Sequence, residues 1–233
     1  ELNIGWKKTA MSFSVRNDIL GLEWCGSSLN HLFSQRKNLL SLRFWKLLFQ
    51  INKFNKLAYQ AWQTPEAENT SLGDWCKKNN LGDDFLQCYL IPMSSAVWST
   101  PPEKMLTFPA ATLMRFFYNH GFLGLNTQHQ WLTPSHGSRT YVQALLKKYP
   151  VKHYFGEAVV SVKKNYPSVI IKTAQGEYEF DRVIFATHAD QSLKLLDDAD
   201  ETEKYLLGAF QYNQNVAVVH TDPSPMPKTR LAW

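Results

Sequence analysis

The sequence predicts an α/β chain of mixed α+β character, in which a helix-rich, sheet-containing part precedes a sheet-rich one. Three observations carry that reading. Residues 159–180 hold three short β-rich runs separated by turn residues. The run 181–191, Asp-Arg-Val-Ile-Phe-Ala-Thr-His-Ala-Asp-Gln, reads as a buried apolar strand that ends in small residues and turns into a helix; strand ends of that kind are where α/β sheets hold ligands. Well before it, apolar residues from 41 to 62 recur at i, i+3, i+4, the period of a helix.

In chain order, Phe44, Leu47, Leu48, Ile51, Phe54, Leu57 and Ala58 define one apolar helix stripe, with Ser41 as its N-cap. Ser71-Leu-Gly-Asp74 caps a short helix, Asp83 to Tyr89 forms another, and Ala110 to His120 a third that ends at Gly121, a residue suited to a helix C-terminus. Pro92, Pro101, Pro102 and Pro109 punctuate the chain between them. The small residues around Trp98 in 93–102 suit either close approach of backbone to a ligand or a tight interhelical loop, which makes Trp98, Ser99 and Thr100 candidate pocket residues. Gln128 to Thr133 reads as a further strand. Gly137 and Ser138 precede a helix over 139–148, whose first N–H groups point toward whatever lies before them, and Val151 to Phe155 reads as a strand. After the meander, Ala209 to Tyr212, Val216 to His220 and 230–233 read as strands.

Charge and composition narrow the function classes. The net +5 is uneven: no acidic residue lies between Glu23 and Glu66, a stretch that carries Arg36, Lys37, Arg43, Lys46, Lys53 and Lys56. The basic face of 41–62 suits contact with an anionic membrane surface, or plain solvation. Nucleic acid is not expected, since no recognition motif or aromatic platform accompanies the charge. Cys25, Cys76 and Cys88 are too few and too scattered for a disulfide framework or a zinc site, which fits a reducing cytoplasm. The histidines show no H-x-x-x-H pair, so no metal is predicted. No G-x-S-x-G elbow is present, and the acidic pairs Asp83-Asp84 and Asp197-Asp198 are attributed to solvated helix ends or loops.

Several segments, taken in order, add a family resemblance: 11–15 (MSFSV), 26–28 (GSS), 35–38 (QRKN), 93–102 (MSSAVWSTPP), 116–121 (FFYNHG), 137–139 (GSR), 186–191 (ATHADQ) and 207–210 (LGAF). The chain thereby resembles the flavin-dependent amine oxidase and phytoene desaturase superfamily, in the branch of predicted NAD/FAD-binding oxidoreductases associated with cyclopropane fatty acyl synthases. The resemblance implies FAD as cofactor and a partial Rossmann-like FAD-binding domain with a β-meander, beside a substrate domain. It divides the chain into a substrate or cap domain at 1–135, with Met11 to Val15 and Leu22 to Cys25 as strands of its sheet, part of the FAD-binding domain at 136–204, and a return to the substrate domain at 205–233. It further implies that Val159 holds the adenine edge through its backbone, that Ala186 and Thr187 lie near the ribose and pyrophosphate, and that Gly137 and Ser138 approach the flavin. Relatives carry a second glycine where this chain has His136, which puts close backbone approach there in question. His188 and Asp190 are polar groups just past the strand; an acid–base role for His188 competes with capping or packing.

One element of a dinucleotide site is missing from the sequence: a strand, then G-x-G-x-x-G, then a helix. The chain is therefore expected to be an internal portion of a longer flavoprotein, inactive by itself. The expected activity of the whole is oxidation or reduction of an apolar substrate, with unsaturated or cyclopropanated acyl lipids implied by the family. The alternatives are a non-catalytic lipid- or partner-binding module with a degenerate flavin domain, and a redox-neutral flavin isomerase.

Overall fold

The structure, a computed structural model, describes residues 2–124 and 127–229. It is an α+β fold whose chain divides into two compact units, one built from residues 3–141 and 216–233 and the other from 142–215.

The first unit is mainly helical. Its sheets are two antiparallel pairs: β1 (Trp6–Thr9) with the sequence-distant β4 (Trp131–Pro134), and the hairpin of β2 (Ser14–Asn17) with β3 (Leu22–Cys25). Strand β2 begins at Ser14, so Met11 to Phe13 lie outside the ladder; Phe13 instead packs edge-on against Trp24, 6.0 Å away. A single turn, α1 (Leu29–Leu32), and a 3₁₀ turn over Arg36–Leu40 lead to α2 (Leu42–Ala61). The Ser41 hydroxyl caps α2 by accepting the Phe44 amide, and the predicted stripe turns Phe44, Leu47, Phe54 and Ala58 into the core. Next come α3 (Pro65–Asn69) and α4 (Leu72–Lys78), capped by the Thr64 and Ser71 hydroxyls.

The segment after α4 departs from expectation. Rather than ending near Tyr89, the helix α5 (Asp83–Phe85) widens into a π-helical turn over Leu86–Leu90 and continues as α6 (Ile91–Trp98). Pro92 lacks an N–H and its ring crowds the preceding turn, and a π turn is one way to admit it without ending the helix. Thus the small residues of 93–98 lie on a helix, not in a loop. Helices α7 (Pro102–Met105) and α8 (Ala110–Asn119) complete the unit, with Gly121 at φ +69° just beyond α8. A Cβ at Gly121 would stand 2.0 Å from the Thr127 carbonyl oxygen, so the position requires glycine twice over. The core of the unit centres on α2, α4, α5, the π turn and α8. Residues 224–229 close against the first hairpin: the Glu23 carboxylate accepts the amides of Lys228 and Thr229 at 2.8 and 2.7 Å, and the Arg16 guanidinium donates to the carbonyls of Ser224 and Met226.

The helix α9 (Arg139–Lys148) leads into the second unit. There the predicted meander forms: β5 (Val159–Asn165), β6 (Ser168–Thr173) and β7 (Glu177–Phe180), all antiparallel, in the order β5-β6-β7. Two helices follow, α10 (Ala189–Leu195) and α11 (Glu201–Gly208), the latter opened by a reciprocal Asp200–Glu203 capping box. The chain leaving α10 docks on β5 through one parallel bridge, Val162 to Leu196, with the Asp197 amide donating to the Val162 carbonyl at 3.0 Å.

Four expected strands are not formed. Residues 151–155, 183–187, 209–212 and 216–220 make no ladder, and Ile184 and Val216 are 92% and 91% exposed. A strand exists only when a neighbour accepts and donates its backbone hydrogen bonds. Among the described residues these runs have no such neighbour, so the buried strand expected after the meander is not formed. The strand expected over 230–233 lies outside the described residues.

Candidate functional site

The residues expected at the cofactor (Val159, Ala186, Thr187, Gly137, Ser138) and at the substrate pocket (Trp98, Ser99, Thr100, His188) are divided between the two units. Val159, Ala186, Thr187 and His188 belong to the second, whereas Gly137, Ser138, Trp98, Ser99 and Thr100 belong to the first.

In the second unit, the chain from β7 passes through 181–188 to α10. The Thr187 hydroxyl meets that of Ser192 at 2.8 Å, and the Ser192 hydroxyl donates to the His188 carbonyl at 2.9 Å. The backbone of Thr187 and His188 is thereby tied to the first turn of α10. The His188 ring stacks on Tyr212 with centroids 4.4 Å apart and planes inclined by 4°, while the Tyr212 hydroxyl accepts the Ala189 amide at 2.8 Å. His188 is the N-cap residue of α10, and it positions that helix through its carbonyl and its ring. Ala186, Thr187 and His188 all remain exposed. Two residues further on, Asp190 Oδ1 is buried without a hydrogen-bond partner. A buried carboxylate oxygen with no donor is uncommon enough to call for one. Val159 opens β5 immediately before a register shift against β6, with its side chain partly exposed.

In the first unit, Gly137 adopts φ +80°, its amide donates to the Pro134 carbonyl, and its own carbonyl accepts both the amide and the hydroxyl of Thr140 at 3.2 and 2.9 Å. Ser138 is exposed at the start of α9. Trp98 lies parallel to Phe108, 5.6 Å away, and edge-on to Phe116 at 5.5 Å. Ser99 is the left-handed C-cap of α6 at φ +49°, and the buried Thr100 donates its hydroxyl to the Trp98 carbonyl at 3.2 Å. The Ser95 hydroxyl, one turn earlier, is buried without a partner.

A cleft of about 260 Å³ opens elsewhere in this unit, with Leu20, Leu22, Phe44 and Leu47 as its apolar lining and Arg43, Asp84 and Cys88 among its polar groups. Arg43 grips Asp84 with two hydrogen bonds of 2.6 and 2.5 Å, so Asp84 is ion-paired and not simply solvated. That hydrogen bond holds the Asp84 carboxyl below the usual carboxylate range against a smaller opposing effect of burial. Burial, and secondarily the Asp84 charge, pushes the Cys88 thiol up, which keeps it protonated and unreactive. Asp198 is likewise engaged, accepting the Lys164 amide at 3.0 Å. Neither Tyr212 nor the Arg43–Asp84 pair was marked by any local motif; each partner lies more than 20 residues away. Among the described residues, no three His, Cys, Asp or Glu side chains converge as metal ligands, and no helix is long and apolar enough to cross a membrane.

No family model matches the chain, and no curated protein matches its sequence. Among solved structures it is similar to a CLA-producing fatty acid isomerase from P. acnes, at 13% identity and a TM-score of 0.43 over 72% of this chain. The chain spans 40% of that protein's length.

Proposed function

We propose that this chain is part of an FAD-dependent oxidoreductase of the amine oxidase-like type, acting on an apolar, lipid-acyl substrate. The observation that carries the reading is the antiparallel meander β5-β6-β7 followed by the exposed Ala186-Thr187-His188 turn into α10, the order that the sequence resemblance leads one to expect. Val159 lies at the head of the first meander strand and Ala186 and Thr187 at the head of α10, both in the same compact unit.

The residues present suit a dinucleotide. Asp190 Oδ1, buried without a donor, is an acceptor that a ribose hydroxyl would satisfy. Ala186 presents no side chain beyond Cβ to obstruct a phosphate or sugar, and the Thr187 hydroxyl, held by Ser192, fixes the local backbone. His188 is committed to Tyr212 and to α10, so its task here is to orient the turn. Within the first unit by itself, Ser138 is exposed at the head of α9 while the Gly137 amide is spent on the Pro134 carbonyl, and Trp98, Ser99 and Thr100 would form a wall for an apolar substrate. The chemistry that bound FAD would supply is hydride transfer to or from carbon, and the accompanying proton is assigned to no residue of this chain. The chain's own part is to bind, orient and exclude water.

Flavin fluorescence quenching on titration with FAD tests the reading. Saturable quenching that weakens in Asp190→Ala and Ala186→Glu supports it. Absence of quenching by the folded protein favours the other reading, a lipid- or partner-binding module. Flavin binding with turnover of an unsaturated acyl substrate but no net oxidation would identify a redox-neutral isomerase.

A further inference from the structure

Helix α2 carries two apolar faces, only one of which the core uses. Opposite Phe44, Leu47 and Phe54, the side chains of Leu42, Trp45 and Phe49 are 87%, 39% and 70% exposed, and Leu40 just before the helix is 91% exposed. Positions 42, 45, 46, 49 and 53 follow helical spacing, so these residues share one stripe with Lys46 and Lys53; they line a shallow depression of about 420 Å³ together with Gln50 and Asn80. Trp45 is fixed there by its indole N–H, which donates to the Leu39 carbonyl at 2.9 Å, and by the Phe33 ring 5.4 Å away. An apolar stripe that includes tryptophan, with lysines interleaved, combines the two features that hold a helix in the plane of a lipid headgroup layer.

We infer that this stripe of α2 seats the protein on the surface of an anionic phospholipid bilayer. Charge complementarity selects that occupant: the sequence has no acidic residue from 24 to 65, and Asp84, whose carboxyl feels Lys46, is already paired with Arg43. Lys46, Lys53 and Lys56 form no ion pair among the described residues; the Lys53 ammonium donates to the neutral Asn79 carbonyl at 2.5 Å, so all three charges remain uncompensated and available to lipid phosphates. Leu42 and Phe49 would enter the acyl boundary, with Trp45 at headgroup level. The inference is independent of the reaction the chain serves.

Flotation of the 233-residue chain with large vesicles, of phosphatidylcholine alone and of phosphatidylcholine mixed with phosphatidylglycerol, tests it. The chain should bind the mixed vesicles and release at high salt. Leu42→Glu combined with Phe49→Glu should reduce partitioning by at least about tenfold, and Lys46→Gln by about fivefold. Both glutamate substitutions replace exposed side chains outside the core, and an unchanged far-UV circular dichroism spectrum verifies that the variant is folded. Failure to bind the mixed vesicles, equal binding to the neutral ones, or binding indifferent to the double substitution would each overturn the inference. So would a concentration-dependent dimer that the same substitutions abolish while vesicles remain unbound.

Discussion

Phe54 is the residue on which the first unit's packing turns, and its replacement tests the orientation of α2 most sharply. Its side chain is fully buried. Its ring lies 5.3 Å from Phe85, 6.0 Å edge-on from Trp75 and 6.1 Å edge-on from Phe117, so one side chain joins α2 to α4, α5 and α8. Truncation to alanine in a packed core costs about 3–5 kcal/mol, and the aromatic contacts on three sides place Phe54→Ala near 4 kcal/mol. With a urea dependence of about 2 kcal/mol per molar, the unfolding midpoint followed by circular dichroism should fall by about 2 M. Phe49→Ala, five residues earlier and about 140° around the same helix, removes an exposed ring and should shift stability by less than about 0.5 kcal/mol. Comparable midpoints for the two variants, or a loss below about 1 kcal/mol for Phe54→Ala, would refute the burial of that face.

Other consequences follow from individual contacts. Burial raises the Glu23 carboxyl, but hydrogen bonds from Thr229 and from the Lys228 amide outweigh it and hold its pKa low; Glu23→Gln should therefore speed amide hydrogen exchange at 228 and 229 by about tenfold or more, and unchanged exchange would contradict the contact. Asp84 has a folded pKa below its unfolded value, so the stability it contributes is full above the ordinary carboxylate range and is lost as pH falls through the depressed value. Because Arg43 and Asp84 are partly exposed, Asp84→Asn should cost no more than about 1 kcal/mol near neutrality, with the difference vanishing in strong acid. All three cysteines are buried and burial pushes Cys76 up to about 12. At about pH 8 a thiol reagent should leave the folded protein unmodified and label three sites after unfolding, and rapid labelling of Cys76 without unfolding would place it wrongly.

What could be read from the residues, and what could not, divides along a physical line. The meander was legible because β-branched runs alternate with the turns at 165–167 and 175–176, and each strand's partner is its immediate neighbour in sequence. Helix α2 was legible because its 3.6-residue stripe and its Ser41 cap are local signals. Strands at 183–187, 209–212 and 216–220 were expected from apolar composition, but strand formation needs a ladder partner, which composition does not specify. Pro92 was read as a break because proline opposes an ordinary α turn; the π turn that admits it depends on how 86–90 pack. At the candidate site, the start of α10 just after Thr187 and His188 was readable from the local turn into a helix, whereas the roles of Ala186 and Thr187 were implied only by the family resemblance. The stacking of Tyr212 on His188 and the orphaned oxygen of Asp190 were not, since both arise from tertiary placement.

The flavin assignment is tested most directly by the visible absorption spectrum of the purified protein, expressed from its full reading frame and supplemented with FAD. The account predicts a yellow protein that releases FAD on denaturation and loses its colour in Asp190→Ala. A folded protein that stays colourless with added FAD would contradict it.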